Sequence, residues 1–422
     1  MKVSTMRKVD QWVGVPICAA LTAWRKLAQL ARREPRPAAI RKILFVKPAE
    51  QGATVLAWPA IQQAVQRVGR ENVYFLVFQE NRFILDALDV IPAENVLTIS
   101  TRGLFNLIRQ TLGTLARLRS LHIDAAIDFE FYARASAVLT YLSGAAIRVG
   151  LHAFAGEGPY RGDLMTHRLH FNPHLHISQF FQVQLAAMDS APARLPALDT
   201  PVPEAIGELP PLKLIDGELE TVRARVRQVG GWSDDKPLVL LNANCSDLLP
   251  LRRWSDDKYV ALARQLMDRY EDLHIAFTGA PEEAPGVEAL LRRIDRPRCF
   301  SMAGKTSLRE LLVLYHLARV LVTNDSGPAH FAALTPIHVI ALFGPETPRL
   351  FGLRTARGHA LTAGLPCSPC VSVHNNRLSP CRRNLCLEQI TTDEVFDLVC
   401  SLLDSPVAES GGNVGAGDKT KA

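Results

Sequence analysis

Short apolar runs recur along most of the chain, and segments with helical periodicity separate them. Runs without polar alternation are typical of strands that are buried on both faces of a parallel sheet. The pattern therefore predicts an α/β protein in which helices cover doubly wound sheets. In the first half, the predicted strands are residues 42–47, 72–78, 95–100, 124–129 and 147–151. The predicted helices between them are residues 53–68, 81–88, 103–119 and 132–142.

A proline-rich segment divides this alternation in two. Residues 190–211 contain six prolines, which is typical of a boundary or an extended connection. The later predicted strands are residues 237–242, 274–279, 320–324 and 338–343, with helices at 255–270, 283–294 and 307–318. We therefore predict two Rossmann-like domains, over residues 38–200 and 212–404, that face a central cleft.

The two ends of the chain differ from this pattern. Residues 12–24 are apolar and lie between basic residues, namely Lys2, Arg7, Lys8, Arg25 and Lys26. The run is shorter than the roughly 20 residues of a spanning helix, and no small-residue cleavage site follows it, which disfavours a signal peptide. Residues 1–37 are predicted as a basic amphipathic helix with a linker, lying on a membrane surface or on the protein itself. Residues 405–422 have no apolar pattern and are predicted to be disordered.

Charge and cysteine content narrow the class of protein. Lys and Arg number 48 against 42 Asp and Glu, a net charge of +6 that suits an anionic substrate or an acidic membrane surface but is too small to indicate nucleic-acid binding. Four of the eight cysteines are scattered, which is unlike a secreted disulfide framework and predicts a cytoplasmic protein. No complete GxGxxG follows the first predicted strand, which disfavours a nicotinamide-dependent oxidoreductase.

One loop has the composition of a phosphate site. Residues 323–330 read TNDSGPAH and follow a predicted strand directly. Pro328 is suited to open a helix, so Asp325, Ser326 and Gly327 would surround backbone N–H groups at its start. That arrangement favours a phosphate group, to which His330 could add a donor or a positive charge. An ordinary helix N-cap with no ligand is the alternative.

From this loop onward the sequence resembles a known family. Residues 323–348 read TNDSGPAHFAALTPIHVIALFGPETP, which resembles the signature of glycosyltransferase family 9, the heptosyltransferases of lipopolysaccharide core assembly. The segments LLNANCSDLLPLRRWSDDKY, FTGAPEE and MAGKTSLRELLVLYHLARVLV precede it in family order. The resemblance covers about residues 42–399 and is loose between 151 and 211.

The resemblance implies a GT-B fold and an inverting glycosyltransferase that needs no catalytic metal. Its donor would be a nucleotide diphosphate sugar, usually ADP-heptose, and its acceptor a lipid-linked saccharide of the lipopolysaccharide core. It would work in the cytoplasm, as a peripheral protein of the inner membrane.

The resemblance also assigns residues to the donor. The loop residues that would hold the diphosphate and sugar are Asp325, Ser326, Gly327 and His330. Arg252 stands where the family commonly has a lysine, shortly before Trp254, and a guanidinium can hold a phosphate at two points. Glu283 matches an acid that contacts the adenosine ribose. From the residues alone, Arg252 could instead be a solvated base and Glu283 an acid at a helix start.

The first-domain loop departs from the family. Members usually read R-x-x-x-x-G-D, and the aspartate is thought to deprotonate the acceptor hydroxyl. Here Lys47 replaces the arginine, Gly52 is kept and Ala53 replaces the aspartate. One hypothesis is that Glu50 acts as the catalytic base while Lys47 steadies the diphosphate. The other is a non-catalytic relative that binds a nucleotide sugar or a saccharide, although the intact phosphate loop favours retained chemistry.

Two further clusters contain potential metal ligands. The spacing within 367–386 predicts a structural zinc site of four thiolates, from Cys367, Cys370, Cys381 and Cys386. An iron–sulfur cluster, two disulfides or four free thiols are the alternatives. Four histidines lie close together in the sequence, at His167, His170, His174 and His176, where contacts to a phosphorylated acceptor or a polar loop are favoured over a metal.

Overall fold

The protein contains two six-stranded sheets, each with its own half of the chain. The structure, a computed structural model, describes residues 3–31, 39–156, 158–203, 209–245, 249–375 and 377–406. Most of the predicted disordered tail, residues 407–422, lies outside the described residues, as do Lys2 and the predicted linker at residues 32–37.

The first sheet has the strand order β3-β2-β1-β4-β5-β6, and all of its neighbouring strands are parallel. Its strands are β1 Ile43–Val46, β2 Val73–Phe78, β3 Val96–Ile99, β4 Ala125–Asp128, β5 Ile147–Leu151 and β6 His167–Leu169. The helices of this half are α1 Val3–Trp12, α2 Gly14–Ala31, α3 Gln51–Leu56, α4 Trp58–Val68, α5 Phe83–Leu88, α6 Leu104–Ser120, α7 Arg134–Leu142 and α8 Ile177–Ala186.

The second sheet repeats the same topology, with the order β12-β11-β10-β7-β8-β9 and parallel neighbours. Its strands are β7 Leu238–Asn242, β8 His274–Phe277, β9 Cys299–Ser301, β10 Val320–Asn324, β11 His338–Phe343 and β12 Gly358–Thr362. The helices are α9 Glu218–Gly230, α10 Asp256–Arg269, α11 Ala284–Ile294, α12 Leu308–Leu317, α13 Gly327–Ala332, α14 Pro348–Phe351, α15 Leu385–Glu388 and α16 Thr392–Asp404. Each order reverses at its centre, as in a Rossmann fold, so the predicted GT-B arrangement is confirmed.

The sequence pattern missed three strands, one helix boundary and the helices α8, α9, α14, α15 and α16. The strands β6 and β9 have three residues each, and β12 is partly exposed at a sheet edge, so none of them forms a long apolar run. The helix predicted over 53–68 is two helices, α3 and α4, which are separated at Ala57 just before Pro59.

The N-terminal helices dock on the first half of the chain through α7. One carboxylate oxygen of Asp10 accepts hydrogen bonds from the backbone N–H groups of Arg134 and Ala135, at 3.0 and 2.9 Å. Cys18 of α2 is fully buried against Ala137, Leu164 and Met165. Arg25, also of α2, forms an ion pair with Asp163. The predicted amphipathic helix therefore packs on the protein with one face. Within the described part of the chain, no helix is both long and apolar enough to cross a membrane.

The carboxyl ends of the two sheets face each other. The helix α3, which follows β1, lies against α13, which follows β10. The rings of Phe83 and Phe331 make an edge contact between the halves with centroids 6.3 Å apart, and those of Phe131 and Phe351 do so at 6.4 Å. The loops that follow the central strands of both sheets therefore meet in the cleft, where ligands of such folds bind.

Candidate functional site

Gly52 of α3 lies directly against His330 of α13. A Cβ atom at Gly52 would lie 2.7 Å from His330 Cδ2, so a larger residue at position 52 would collide with the imidazole. His330 is buried, and its Nδ1 has no hydrogen-bond partner among the described residues. Burial, reinforced by the positive charge of Arg252, lowers the pKa of His330 to about 4. The ring is therefore neutral at pH 7. Of the two roles that the sequence allowed, it can offer a hydrogen bond but not a positive charge.

Seven charged side chains of alternating sign cross the cleft, and we call them the charge row. In order they are Glu130, Lys47, Glu50, Arg377, Glu346, Arg252 and Asp325. The first three belong to the N-terminal half and the last four to the C-terminal half. The ion pair between Glu50 and Arg377 joins the two parts. The row therefore brings predicted residues from both domains into a single site.

Lys47 and Glu130 form the N-terminal end of the charge row. Lys47 follows β1 and Glu130 follows β4, and these strands are neighbours, with Val46 opposite Asp128. Lys47 Nζ lies 3.6 Å from Glu130 Oε2 and 3.6 Å from Glu50 Oε2. It is fully buried, with no hydrogen-bond partner among the described residues. A buried ammonium without hydrogen bonds is costly, and the charges of the Glu50 and Glu130 carboxylates offset part of that cost.

Glu50 lies at the start of α3 with a left-handed backbone, at φ 66°. Burial raises its pKa, but the charges of Arg377, Lys47 and Arg252 outweigh burial and lower the pKa to about 2. Glu50 is thus a carboxylate, and in this arrangement it is a weak base. Ala53, one turn later, is 8% exposed and brings no acidic group.

Arg377 was not predicted from the sequence. Its guanidinium carbon lies 5.4 Å from the ring centroid of Phe131 and 5.3 Å from that of Phe351, so aromatic faces from both halves hold it. Besides contacting Glu50, its Nε lies 3.6 Å from Glu346 Oε1. No strand pattern or motif pointed to this residue, because it lies in an irregular loop between the second and third cysteines of the cluster.

Arg252, Asp325 and Glu346 form the C-terminal end of the charge row. Arg252 donates to Glu346 Oε1 at 2.9 Å, and its Nε lies 3.4 Å from Asp325 Oδ2. Burial raises the pKa values of both acids, although Arg252 and Arg377 oppose that effect. The structure therefore brings Arg252 and Asp325 together, as predicted. Glu346 comes from the quoted FGPETP segment but was not singled out there.

The other predicted donor residues occupy two different places. Ser326 precedes α13, and its hydroxyl donates to the Asn324 carbonyl at 3.1 Å instead of capping the helix. Gly327 is the first residue of α13, so the backbone at this helix start lies beside Asp325. Glu283 lies apart from the charge row, after β8, and accepts the Ala280 N–H at 2.6 Å. Glu283 therefore acts as an acid at a helix start, the alternative that the sequence allowed. Its contact with a ribose stays a prediction.

The cysteine cluster does not have the geometry of the predicted metal site. All four thiols are free, Cys367 and Cys381 are exposed and Cys386 is buried. Cys381 Sγ donates to the Arg383 carbonyl at 2.8 Å. The described residues contain no group of three or more His, Cys, Asp or Glu side chains that could hold a metal ion. No disulfide links the four thiols, and a structural metal at these positions stays a prediction.

The four histidines serve local structure. His167 lies on β6, where its Nδ1 is 2.8 Å from the Thr166 hydroxyl. His176 caps α8 through Nδ1, and its Nε2 lies 3.1 Å from the Gly352 carbonyl in the other half. The rings of His170 and His374 are tilted towards each other with centroids 6.1 Å apart, and His174 is exposed. Their contacts with an acceptor stay a prediction.

Comparison with known proteins places this site in a family. A family model described as glycosyltransferase family 9 (heptosyltransferase) matches residues 114–379, more than half of the chain. The chain is 35% identical over 101 residues to lipopolysaccharide heptosyltransferase 2 of Escherichia coli K12, covering 24% of this chain and 29% of that protein. It is 24% identical to lipooligosaccharide heptosyltransferase 2 of Haemophilus ducreyi, over 73% of this chain and 84% of that one.

The fold agrees with a solved structure as well. That structure, of the Escherichia coli ADP-heptose lps heptosyltransferase II, superposes with a TM-score of 0.63 at 19% identity, covering 86% of this chain and 98% of the other. The first curated relatives, in contrast, are matched over only about a third of their length or less.

Proposed function

Because the chain belongs to glycosyltransferase family 9, the heptosyltransferase family, we propose that it is an inverting glycosyltransferase. The donor is a nucleotide diphosphate sugar, with ADP-heptose as the first choice, and the acceptor is a lipid-linked saccharide of the lipopolysaccharide core. Similarity to the Escherichia coli ADP-heptose lps heptosyltransferase II supports this choice. The observation that carries the proposal is the charge row, which sets Glu50 of one half against Arg377 and Arg252 of the other.

The chemistry follows from these positions. The acceptor oxygen attacks the anomeric carbon and forms the new C–O bond, while its proton passes to the carboxylate of Glu50. The bond from the anomeric carbon to the diphosphate oxygen breaks, and its electron pair leaves with the nucleoside diphosphate. Arg252 and the N–H groups at the start of α13 stabilise the charge that develops there. These groups supply the positive charge for a reaction without a catalytic metal.

A second candidate function rests on Ala53. Without the aspartate of the family, the chain is a relative that binds a nucleotide sugar or a saccharide but transfers nothing. A transfer assay with ADP-heptose and a lipid-linked core saccharide separates the two functions. Transfer by the wild type that is lost in Glu50→Gln, with ADP binding retained, supports the enzyme. ADP binding without transfer supports the binding protein.

The nucleotide can be identified first by thermal unfolding with ADP, UDP, GDP and NAD at matched concentrations. A ligand at about a hundred times its dissociation constant stabilises the folded state by about 2.7 kcal/mol. Stabilisation by ADP supports the proposed donor, whereas stabilisation by UDP or GDP alone replaces it. No stabilisation by any of them contradicts the proposed function.

We also propose that the protein works at the cytoplasmic face of the inner membrane, where α1 and α2 contact the lipid surface. The large apolar side chains that they expose include Trp12, Trp24, Leu27 and Leu30, with 63 to 86% of their surface free. Lys8 and Lys26 are exposed on the same helices. Aromatic and aliphatic groups beside lysines are typical of helices that lie in the interface of an anionic bilayer.

Structural zinc stays a separate proposal that rests on the cysteine spacing alone. It requires the sulfur atoms to converge on one point, which they do not do in this structure. Elemental analysis of the purified chain tests it: about one zinc per chain supports the site, and its absence contradicts it.

A further inference from the structure

Within the proposed function, we propose that Arg377 binds the diphosphate of the donor, and that Glu50 holds this guanidinium in the ligand-free site. Donor binding would then release Glu50 from its ion pair and so prepare it to take the acceptor proton. The inference assigns a phosphate ligand to a residue outside the family motifs quoted above and couples the two substrate sites.

The first support is the shared carboxylate of Glu346. One oxygen, Oε1, lies 2.9 Å from Arg252 and 3.6 Å from Arg377. Two guanidinium groups that meet at one carboxylate oxygen are close enough to meet at one phosphate, which presents similar oxygen acceptors. Since Arg252 is the proposed phosphate ligand, we infer that Arg377 is a second phosphate-binding residue of the same site.

The second support is the way in which Arg377 is held. Phe131 and Phe351 contact its guanidinium, and its side chain is only 17% exposed. Contact with aromatic rings fixes the plane of the group without occupying its N–H donors, which leaves them for anions in the cleft.

The third support is a buried ammonium group near Glu50. Lys47 Nζ is buried without a hydrogen-bond partner among the described residues. Lys47 is fully buried and lies on the other side of Glu50 from Arg377. An anionic group that displaces Glu50 gains the charge of both residues, which favours a diphosphate over a neutral ligand.

The consequence concerns the base. Among the charges acting on Glu50, that of Arg377 lowers its pKa the most. When phosphate takes the guanidinium, Glu50 loses that partner and gains a negative neighbour, and both changes raise its pKa. The carboxylate becomes a better proton acceptor only when the donor is in place.

Calorimetric titrations with ADP and with inorganic pyrophosphate test the inference. We expect Arg377→Ala to weaken both ligands about 10- to 100-fold, the range for losing a charged hydrogen bond. Arg377→Lys keeps the positive charge but loses the two parallel N–H donors of the guanidinium. Its affinity for both ligands should therefore lie between those of the wild type and Arg377→Ala. Arg382→Ala is the matched control, an exposed arginine of the same cysteine segment, and should bind as the wild type does.

The direction in which a second substitution changes the affinity for ADP is a sharper test. Glu50→Gln removes the competitor for Arg377, so it should tighten ADP binding about three- to tenfold, an effect well below that of losing the arginine. In the Arg377→Ala background the same change should have no such effect. Equal ADP affinity in the wild type and Arg377→Ala, or weaker ADP binding in Glu50→Gln, overturns the inference while leaving the proposed function intact. A wild type that binds neither ligand overturns both.

If Arg377→Ala unfolds, which a thermal melt shows, Arg377→Lys and Glu50→Gln carry the test. For Arg377→Lys, the pH profile of kcat gives an independent readout. A weaker ion pair between residue 377 and Glu50 should shift the acidic limb of that profile. An unchanged acidic limb contradicts the proposed coupling between donor binding and the base.

Discussion

Gly52 and His330 lie so close that a single methyl group could not fit between them, since a Cβ at position 52 would come within 2.7 Å of the imidazole. One residue belongs to α3 in the N-terminal half and the other to α13 in the C-terminal half. The backbone at Gly52 therefore sets how closely the two halves can approach each other.

Gly52→Ala should accordingly lower stability by about 1 to 3 kcal/mol, because the buried ring has little room to move. It should also weaken ADP binding, because the displaced ring belongs to the donor site. Chemical denaturation and calorimetry measure the two effects. The control is Gly113→Ala in α6, where an added Cβ meets nothing within 4 Å. That change should leave the stability equal or raise it by up to about 1 kcal/mol. Equal stability of Gly52→Ala and the wild type contradicts this account.

A double variant tests whether position 53 can still supply the base. Glu50→Gln should reduce transfer about a hundredfold or more, the usual effect of losing a general base. Adding Ala53→Asp returns a carboxylate to the position where the family has its aspartate, and should restore part of the rate. The rates are compared with a lipid-linked core saccharide as acceptor. If Glu50→Gln transfers as fast as the wild type, Glu50 is not the base.

Acid should destabilise the protein through its buried histidines. Burial lowers the pKa of His176 to about 4, against the hydrogen bond to the Gly352 carbonyl that opposes it. As the pH falls, the unfolded chain binds protons first, so stability is complete above the ordinary pKa of 6.5 and is lost towards pH 4. For one such histidine the loss between pH 7 and pH 5 is about 2 kcal/mol.

Unfolding in denaturant at several pH values measures this loss. His176→Gln should flatten the curve, because the amide can keep a hydrogen bond to Gly352 without titrating. His174→Gln, an exposed neighbour, should leave the slope unchanged. Equal slopes in all three proteins would show that His176 does not carry the effect.

The membrane proposal predicts a lipid-dependent effect of exposed side chains. Replacing both Trp24 and Leu30 by serine should reduce binding to anionic vesicles about tenfold or more, while binding to neutral vesicles stays weak. Co-sedimentation with vesicles of the two compositions measures this. Ile215→Ser is the control, because Ile215 is also exposed, at 64%, but lies far along the chain in a loop. Undiminished binding of the double variant excludes these helices as the lipid contact.

Periodicity was sufficient for the long buried strands of both sheets but not for the whole site. The long buried strands such as Val73–Phe78 and His338–Phe343 followed from their apolar runs, and Asp325 was found because it lies at the end of such a strand. Lys47 and Glu50 were found from the resemblance of their loop to the family. Glu130 had the same signal as Asp325, since it follows β4, the neighbour of β1. Arg377 had none: long-range packing against Phe131 and Phe351 positions it, and a loop sequence does not encode such contacts locally.

The packing of Cys18 has a consequence for synthesis on the ribosome. Its neighbours Ala137, Leu164 and Met165 are made more than a hundred residues later. At about 5 to 20 residues per second, α2 therefore waits for several seconds to about half a minute before its docking surface exists. During that interval both of its faces are uncovered, and a nearby bilayer or a chaperone can hold the helix before the rest of the protein does.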